Sequence, residues 1–416
     1  MPPLPSVWER VPEFIPEYKV GGEGVLGAFP VPIAVVGPQR DQVGGYNARR
    51  RHARLSIACQ SGGPVTQSQL LPAITIDLSS DTATRPTPAM RRFMAEAPVG
   101  DEQRREDPTV NELQAMVAAL TGKEAALFLP SGTMCNAIAF CVMASRGEAV
   151  VLDRAAHPNL HEGGGPAWLA QVLLRPLAGD RGVFTTDQVR EVLHPGDTHT
   201  ARTGLISVEQ TANAGGGRVW PLARLAELRA LADAHGMAIH MDGARLLNAV
   251  VATGVSAAAF TVHVDTVWID LSKGLGAPVG AVLAGPAATI ERARRLKHVF
   301  GGAMRQAGII AAAGVYALNH HVDRLADDHA NARLLAAGLA TIPGVRLLHD
   351  AVETNIVFFD VADTGLTGAD LERRVNVHGV RLDAEGDATM VRAVTHLDVD
   401  RAGCERAVEV IRTACA

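Results

Sequence analysis

The 416-residue sequence has little cysteine, and it shows no C-x-x-C pair or Cys/His spacing of the kind that binds zinc. Its five cysteines, Cys59, Cys135, Cys141, Cys404 and Cys415, are unclustered and odd in number. They do not form the regular pattern of a disulfide framework. A reducing cytoplasm therefore fits the chain best, because structural disulfides are made in oxidising compartments.

Long apolar runs are also missing. The sequence has no stretch of about 18 or more uncharged apolar residues, which is the length that a helix needs to span a bilayer. The chain does not open on a charged and then apolar leader with a small-residue cleavage site. The formal net charge is −5, and the one basic cluster, residues 49–54, is short. We therefore expect neither a membrane segment nor a nucleic-acid partner.

Residues 1–73 are rich in proline and glycine and have no sustained helical or strand period. We interpret them as an irregular N-terminal extension. A start codon set too far upstream is the alternative, because no methionine lies between Met1 and Met90. A formal G-x-G-x-x-G begins at Gly22, but residues 28–30 leave no helix start to bind a pyrophosphate, so we interpret it as chance.

From about residue 74, short β-rich runs alternate with helical patterns, which predicts parallel βαβ units in an α/β sheet. Strand-like runs occur at residues 125–130, 149–153, 203–209, 237–242, 265–272 and 281–285. Further on come a helical stretch from Arg305 to about Ala340, strands at 355–361 and 389–394, and a last helix from about Arg401. Asp107 followed by Pro108 predicts a helix start. We expect a large domain over residues 74–320 and a smaller α+β domain over residues 321–416.

Ligands of open α/β sheets bind at the carboxyl ends of strands, and reactive residues are expected there. The segment LPSGTMCN places Ser131, Gly132 and Thr133 between a strand and a helix. Amides and hydroxyls at a helix start suit a phosphate, although Ser and Thr are also ordinary caps. Asp242 ends another apolar strand. It could be a cap, a salt-bridge partner of Arg245, or the partner of a protonated ring nitrogen.

Lys273 follows a strand-like run in WIDLSKGLG. A lysine at the end of a buried strand loses solvation and can attack carbonyls, whereas a snorkelling lysine at a strand edge is the alternative. His157 and His161 are four residues apart with Glu162 beside them, a spacing that could hold a metal on a helix. Pro158 and the glycines that follow argue against a long helix, and no third ligand is evident. A flat histidine that stacks on an aromatic cofactor is the stronger interpretation of His157, and we expect no metal.

Together these four segments give, in chain order, a phosphate loop, a stacking histidine, an acid and a lysine. A pyridoxal phosphate (PLP) site needs this combination. The lysine forms a Schiff base with the cofactor aldehyde, the acid keeps the pyridine nitrogen protonated, and the ring withdraws electrons from the substrate Cα. The joint pattern is far more specific than any of its members.

Residues 74 to about 414 resemble the low-specificity L-threonine aldolases, fold-type I PLP enzymes of the β-eliminating lyase group. The resemblance rests on IDLSSDTATRPTPAM, GKEAALFLPSGT, DGARLLNAVVA, LSKGLGAPVG, GGAMRQAGIIAAAGVYAL and VRAVTHLD. It implies an α/β fold of fold-type I architecture, with a mostly parallel seven-stranded sheet in the large domain and a smaller C-terminal α+β domain. It also implies a homotetramer with active sites at the dimer interface.

The resemblance further implies a role for each cofactor residue. Lys273 forms the Schiff base, Gly132 and Thr133 hold the phosphate with Ser131 as a weaker candidate, His157 lies against the pyridine ring, Asp242 pairs with the ring nitrogen, and Arg245 approaches the phenolic oxygen. The implied reaction is aldol cleavage of L-threonine, L-allo-threonine and related β-hydroxy-α-amino acids to glycine and an aldehyde.

For the substrate, the resemblance implies that Ser80 and Arg392 bind the carboxylate, where a planar guanidinium suits bidentate capture. Arg305 matches a family arginine near the site. His199 matches the histidine near the substrate β-hydroxyl. A general base that works near neutrality suits histidine. Either His199 or His157 can take this role, and the sequence leaves the choice open.

The sequence also departs from the family pattern. Arg104 and Arg105 replace a Tyr-Gly pair at the substrate end of the site, Ser79 replaces an arginine, Ala212 a histidine, and Lys297-His298 an Arg-Lys pair. The two arginines could recruit an acidic substrate. The alternative function is therefore a related PLP-dependent β-eliminating lyase, transaldolase or racemase-like enzyme that acts on another β-substituted amino acid. A non-catalytic relative is a third possibility, and the intact Lys273 argues against it.

Overall fold

The computed structural model describes residues 73–384 and 388–416. The predicted irregular extension, with its glycine motif and basic cluster, lies outside the described residues except for residue 73. None of the helices in the described ranges is long and apolar enough to cross a membrane.

The described chain alternates strands and helices. The strands are β1 (Ile76–Asp77), β2 (Ala125–Leu129), β3 (Ala149–Asp153), β4 (Leu173–Leu177), β5 (Thr203–Glu209), β6 (Ala238–Gly243), β7 (Thr266–Asp270), β8 (Ala281–Gly285), β9 (Arg346–Leu347), β10 (Ile356–Asp360), β11 (Val380–Arg381) and β12 (Met390–Val394). The helices are α1 (Pro88–Ala95), α2 (Pro108–Thr121), α3 (Gly132–Met143), α4 (His157–Leu160), α5 (Thr186–Val192), α6 (Leu222–His235), α7 (Leu246–Thr253), α8 (Ala257–Thr261), α9 (Ala287–Val299), α10 (Gly308–His320), α11 (Leu325–Leu339), α12 (Gly368–Asn376) and α13 (Arg401–Cys415).

A seven-stranded sheet with the order β2-β8-β7-β6-β5-β3-β4 forms the centre of the fold. Strand β8 is antiparallel to both of its neighbours, and the other neighbouring strands are parallel. This confirms the mostly parallel sheet expected from the sequence. Strands β3, β5, β7 and β8 are buried along their whole length. Helices cover both faces of such a sheet, which is why these strands are continuous apolar runs.

Three adjacent parallel strands bring three acids to one edge of this sheet. Strand β5 ends at Glu209, β6 carries Asp242 opposite Glu209 in register, and β7 ends at Asp270. In the neighbouring pair Asp242 lies opposite Trp268. Lys273 follows three residues after the end of β7. The sheet topology therefore collects the acids and the lysine at the carboxyl edge, where α/β folds bind ligands.

A three-stranded antiparallel sheet, β12-β10-β9, forms the C-terminal part of the fold. It shares an apolar core with α11, α12 and α13, whose members include Leu335, Phe359 and Ile411. The short β1 pairs in parallel with β11, and Leu78 is fully buried in this same core. The first described strand therefore packs with the C-terminal core. The domain boundary at residues 320 and 321 stays a prediction.

The division of one helical stretch and an additional edge strand are among the features that differ from the sequence prediction. The helical stretch expected from Arg305 to Ala340 is divided, because α10 ends at His320 and α11 begins at Leu325. Strand β4 was not predicted, and it contains Pro176. Proline cannot donate a ladder hydrogen bond and is confined to sheet edges, and β4 is an edge strand.

The predicted helix start at Asp107 is confirmed, and its side chain does more than cap α2. The fully buried carboxylate accepts hydrogen bonds from the backbone N–H of Val110 at 3.0 Å, Gly100 at 3.1 Å and Gly308 at 2.8 Å. These bonds join the start of α2 to the preceding loop and to the start of α10. Because all three donors depend on a single carboxylate, Asp107 is an anchor of this part of the fold.

We expect Asp107→Ala to lower the free energy of unfolding by about 3 kcal/mol, because it removes a cap and leaves buried donors unpaired. The matched control is Asp400→Ala, since Asp400 is exposed and caps α13 with one bond, to the Gly403 N–H at 2.8 Å. Loss of the Asp400 cap should lower the free energy of unfolding by about 1 kcal/mol. Urea unfolding measures both values, and equal costs would contradict the anchoring role.

Candidate functional site

A cavity of about 520 Å³ opens at the carboxyl edge of β5, β6 and β7. Most of the site residues predicted from the sequence line it, namely Ser80, Gly132, Thr133, His157, Asp242, Arg245, Lys273 and Arg392. The structure therefore brings together residues that lie as far apart in sequence as Ser80 and Arg392. Their individual roles stay predictions.

Three other candidates lie outside the lining of this cavity. His199 belongs to an exposed loop, where its backbone N–H donates to Asp197 at 2.7 Å. Arg305 is largely exposed and forms an ion pair with Asp101 at 3.1 Å. Ser131 caps α3, since its hydroxyl accepts from a backbone N–H of that helix. A single chain thus does not bring His199 or Arg305 to the cavity, and their roles remain predictions.

The unusual arginines Arg104 and Arg105 also lie outside the cavity, on a 3₁₀ turn formed by residues 102–104 and its C-terminal cap. Arg105 pairs with Glu291 of α9 at 2.5 Å. Glu102 forms a buried ion pair with Lys297, another residue that departs from the family pattern. Glu102, the first residue of the turn, therefore fixes the turn that carries the arginines to the end of α9.

The start of α3 forms part of the cavity wall. Gly132 and Thr133 line it there, and the Trp268 indole lies against the glycine. A Cβ built on Gly132 would lie 2.2 Å from the indole ring. Only glycine leaves room for this contact between α3 and β7. The site thus presents the amides of a helix start beside an aromatic ring, a geometry suited to an anion.

Lys273 projects into the same cavity from the loop after β7. Its Nζ lies 3.2 Å from Asp270 Oδ2 and 5.8 Å from the centroid of the Trp268 ring. The side chain is only 18% exposed. This placement agrees with a lysine directed into a site and not with one that snorkels at the protein surface.

Arg245 is held by a bidentate ion pair with Asp81. Its Nε and Nη2 donate to the two Asp81 carboxylate oxygens at 2.7 and 2.8 Å, and both side chains are buried. Burial alone would raise the pKa of Asp81, but the charge and hydrogen bonds of Arg245 lower this pKa to about 2. The pair therefore stays charged at neutral pH. Asn213 accepts at 3.3 Å from Arg245 and, at the same distance, from Arg392.

Arg392 also lines the cavity. Its Nη2 donates to Asp383 Oδ2 at 2.7 Å and to the Ser79 carbonyl at 3.3 Å. Ser80, next in the chain, lines the cavity and caps a short 3₁₀ turn through its hydroxyl. A guanidinium and a hydroxyl at one place can bind a carboxylate.

Asp242 and His157 line the cavity as well. Asp242 is 2% exposed, and its Oδ1 accepts from the Ala244 N–H at 3.1 Å. The Nδ1 of His157 lies 2.9 Å from Glu162 Oε1. The hydrogen bond to Glu162 raises the pKa of His157, while burial opposes it. His157 therefore keeps its proton to a higher pH than an ordinary histidine.

Several residues of the site were not singled out from the sequence, chiefly Asp81, Asn136, Glu209, Trp268 and Asp270. Glu209 and Asp270 could have been found, because they are acids at strand ends like Asp242. Asn136 is a single polar residue in the apolar helix run CNAIAFC. No signal of this kind distinguishes Asp81 or Trp268 from a structural residue.

His240 lies on β6 behind the site and is completely buried. Its Nδ1 is 2.8 Å from the Thr266 hydroxyl oxygen. Burial lowers the pKa of His240 to about 3. The ring is therefore neutral at all ordinary pH values.

We expect His240 to make the protein less stable in acid. The unfolded chain binds a proton at this residue below about pH 6.5, while the folded chain resists it down to about pH 3. As the pH is lowered through this window, His240 alone should therefore reduce the free energy of unfolding by about 1.4 kcal/mol per pH unit. His240→Gln should remove this share of the slope in urea unfolding at several pH values. Identical slopes in the two proteins would contradict the assignment.

Comparison with known proteins agrees with this geometry. The profile of the beta-eliminating lyase family matches residues 77–364. The low-specificity L-threonine aldolase of Escherichia coli K12 is 43% identical over 327 residues, which cover 78% of this chain and 95% of that relative. The solved threonine aldolase of Leishmania major matches with a TM-score of 0.70 at 21% identity, over 82% of this chain and 100% of that chain.

A more distant solved structure also matches. A variant serine palmitoyltransferase of S. paucimobilis with a bound PLP–myriocin aldimine has a TM-score of 0.64 at 18% identity, over 82% of this chain and 87% of that chain. At such identities the solved structures show the fold alone, and they confirm the predicted fold-type I architecture. The family profile and the relative from Escherichia coli cover most of the sequence. The chain belongs to the beta-eliminating lyase family.

Proposed function

We propose that the protein catalyses PLP-dependent aldol cleavage of L-threonine, L-allo-threonine and related β-hydroxy-α-amino acids to glycine and an aldehyde. The observation that carries this proposal is the convergence of Lys273, Asp242 and the start of α3 on one cavity. The relative from Escherichia coli is named a low-specificity L-threonine aldolase, and family membership supports a PLP-dependent carbon–carbon lyase.

The residues of the cavity fit pyridoxal phosphate. The amides at Gly132 and Thr133 would hold the phosphate, the Asp242 carboxylate would accept from the protonated ring nitrogen, and the Lys273 amine suits the aldehyde. Arg245 would approach the phenolic oxygen. When bound, the cofactor supplies an electron sink for negative charge that develops at the substrate Cα.

The other cavity residues would orient the substrate. Arg392 and Ser80 would bind the α-carboxylate, which then competes with Asp383 for the guanidinium. His157 would lie against the cofactor ring. It is also our first candidate for the base at the β-hydroxyl, because it lines the cavity whereas His199 does not. Its raised pKa means that the neutral, basic form increases as the pH rises above the ordinary histidine range.

A second function uses the same cofactor on another substrate. The exposed side chains of Arg104, Arg105 and Arg305 lie on or beside one surface turn and favour an acidic partner or substrate. A β-eliminating lyase or transaldolase that acts on an acidic β-substituted amino acid would use them. Because these residues lie outside the cavity of one chain, the first function has the stronger support.

We further infer a cytoplasmic homotetramer with active sites at the dimer interface. A neighbouring copy would allow residues outside the cavity, such as Arg305, to reach a site. Trp168 and Leu173 are 83% and 54% exposed and supply apolar surface that another copy could bury. The four described cysteines are free thiols, which suits a reducing compartment.

An aldehyde-release assay tests the main proposal. The holoenzyme should convert L-threonine to equal amounts of acetaldehyde and glycine, and phenylserine to benzaldehyde and glycine. Lys273→Ala should lose more than about a hundredfold in kcat/KM, because the amine that reacts with the cofactor is gone. The matched control is Lys123→Ala, since Lys123 donates to the Thr261 carbonyl at 2.8 Å and does not line the cavity.

The same assay separates the two functions. A PLP-loaded enzyme that releases no aldehyde from any β-hydroxy amino acid would overturn the aldolase proposal. Release of ammonia and an oxo acid from an acidic β-substituted substrate would then establish the alternative lyase.

Deletion of residues 1–73 should leave a tetrameric, active enzyme. The cut keeps β1 and its pairing with β11, including the Ile76–Val380 pair. A longer deletion through residue 78 is the control, because it also removes the fully buried Leu78. This control should lose about 3 kcal/mol or more of unfolding free energy. Light scattering and turnover check both variants, and urea unfolding measures the stability of the longer deletion. An inactive or dissociated first variant would overturn the proposal that residues 1–73 are dispensable.

A further inference from the structure

Asn136 on α3 uses every hydrogen-bonding position of its side-chain amide. Its Nδ2 donates to Asp242 Oδ2 at 2.9 Å and to Glu162 Oε1 at 2.6 Å. Its Oδ1 accepts from Trp268 Nε1 at 2.7 Å and lies 3.1 Å from His240 Nε2. The residue is 1% exposed. A neutral side chain thus lies between two buried carboxylates.

The orientation of this amide is fixed by the chemistry of its neighbours. An indole N–H can only donate and an ionised carboxylate can only accept, so the oxygen must face Trp268 and the nitrogen must face the acids. His240 then carries its proton on Nε2 and accepts from the Thr266 hydroxyl at Nδ1. The neutral state of His240 agrees with this arrangement.

Glu162 extends the chain of hydrogen bonds to the histidine in the cavity. Its side chain is 1% exposed, and Oε1 is shared between Asn136 Nδ2 and His157 Nδ1. The unbroken order is His157, Glu162, Asn136, Asp242. Both bonds from the amide go to acids, and such charge-assisted bonds are stronger than neutral ones.

We propose that Asn136 is a positioning residue that joins the His157–Glu162 pair and Asp242 into one unit, so that the proton on His157 and the charge on Asp242 are set together. The inference rests on the proposed function, in which Asp242 faces the cofactor ring nitrogen and His157 faces the ring. Asn136 itself does not line the cavity and acts through its neighbours.

Three acids and a second histidine lie around His157. Glu162 bonds to its ring, Glu209 accepts from its backbone N–H at 2.8 Å, Asp242 acts on it through space, and the His161 ring centroid is 5.4 Å away. Three acids therefore favour the protonated ring, and Glu162 is the one in direct contact.

Removal of the Asn136 amide has a defined electrostatic result. Each acid loses a hydrogen-bond donor that stabilises its ionised form. Without this donor, Asp242 is a less well-placed and weaker partner for a positive ring nitrogen. Cofactor affinity and the titration of the bound cofactor should therefore change together.

The test compares Asn136→Leu with the wild-type holoenzyme. The dissociation constant for PLP, measured by equilibrium dialysis, should rise about tenfold to a hundredfold. The absorption band of the bound cofactor should titrate at a different pH. The matched control is Asn248→Leu, since Asn248 is also buried, and its amide nitrogen lies 3.3 Å from His329 Nε2, on α7 and α11. This control should keep the wild-type affinity and titration.

Glu162→Gln is the second variant, because it keeps the shape and the acceptor for Asn136 but removes the charge beside His157. The rising limb of the kcat/KM profile should move to lower pH, and the PLP dissociation constant should also rise, by about threefold to tenfold, because Asn136 joins Glu162 to Asp242. If Asn136→Leu does not fold, these two measurements decide, and an unmoved limb or an unchanged PLP dissociation constant overturns the inference.

A folded Asn136→Leu protein with wild-type PLP affinity and titration overturns the inference while the proposed function stands. A wild-type protein that takes up no PLP overturns the proposed function itself.

Discussion

Charge compensation in a buried space is the constraint on which the site depends. The sheet places Glu209, Asp242 and Asp270 at one edge, and each is less than a tenth exposed. A buried carboxylate is costly unless it is paired or hydrogen-bonded. Lys273 accompanies Asp270, backbone N–H groups hold Glu209, and the Asn136 amide holds Asp242. The cavity can therefore hold three acids without leaving any of them unpartnered.

The same constraint explains which residues could be found in the sequence. Lys273 and Asp242 could be predicted because both stand at the end of an apolar strand, where a parallel sheet collects its ligands. Asn136 and Asp242 are 106 residues apart, and Arg245 and Asp81 are 164 apart. Such contacts depend on how the strands and helices pack, and no local pattern contains that information.

Much of the fold could also be predicted, for a related reason. The central strands are buried on both faces and are therefore apolar along their length, so their positions in the sequence were clear. Strand β4 was missed because it lies at the sheet edge and includes Pro176. The pairing of β1 with β11 joins residues about 300 positions apart through only two residues on each strand, and it left no signal in the sequence.

The contact between Gly132 and Trp268 has a consequence for how this site can vary. Trp268 touches the helix start through its ring, binds Asn136 through its indole N–H, and belongs to the strand that leads to Lys273. A side chain at position 132 would need the space that the indole fills, and a smaller ring at position 268 would remove a donor from Asn136. Positions 132, 136 and 268 should therefore be inherited as a set, and homologues should change them together or not at all.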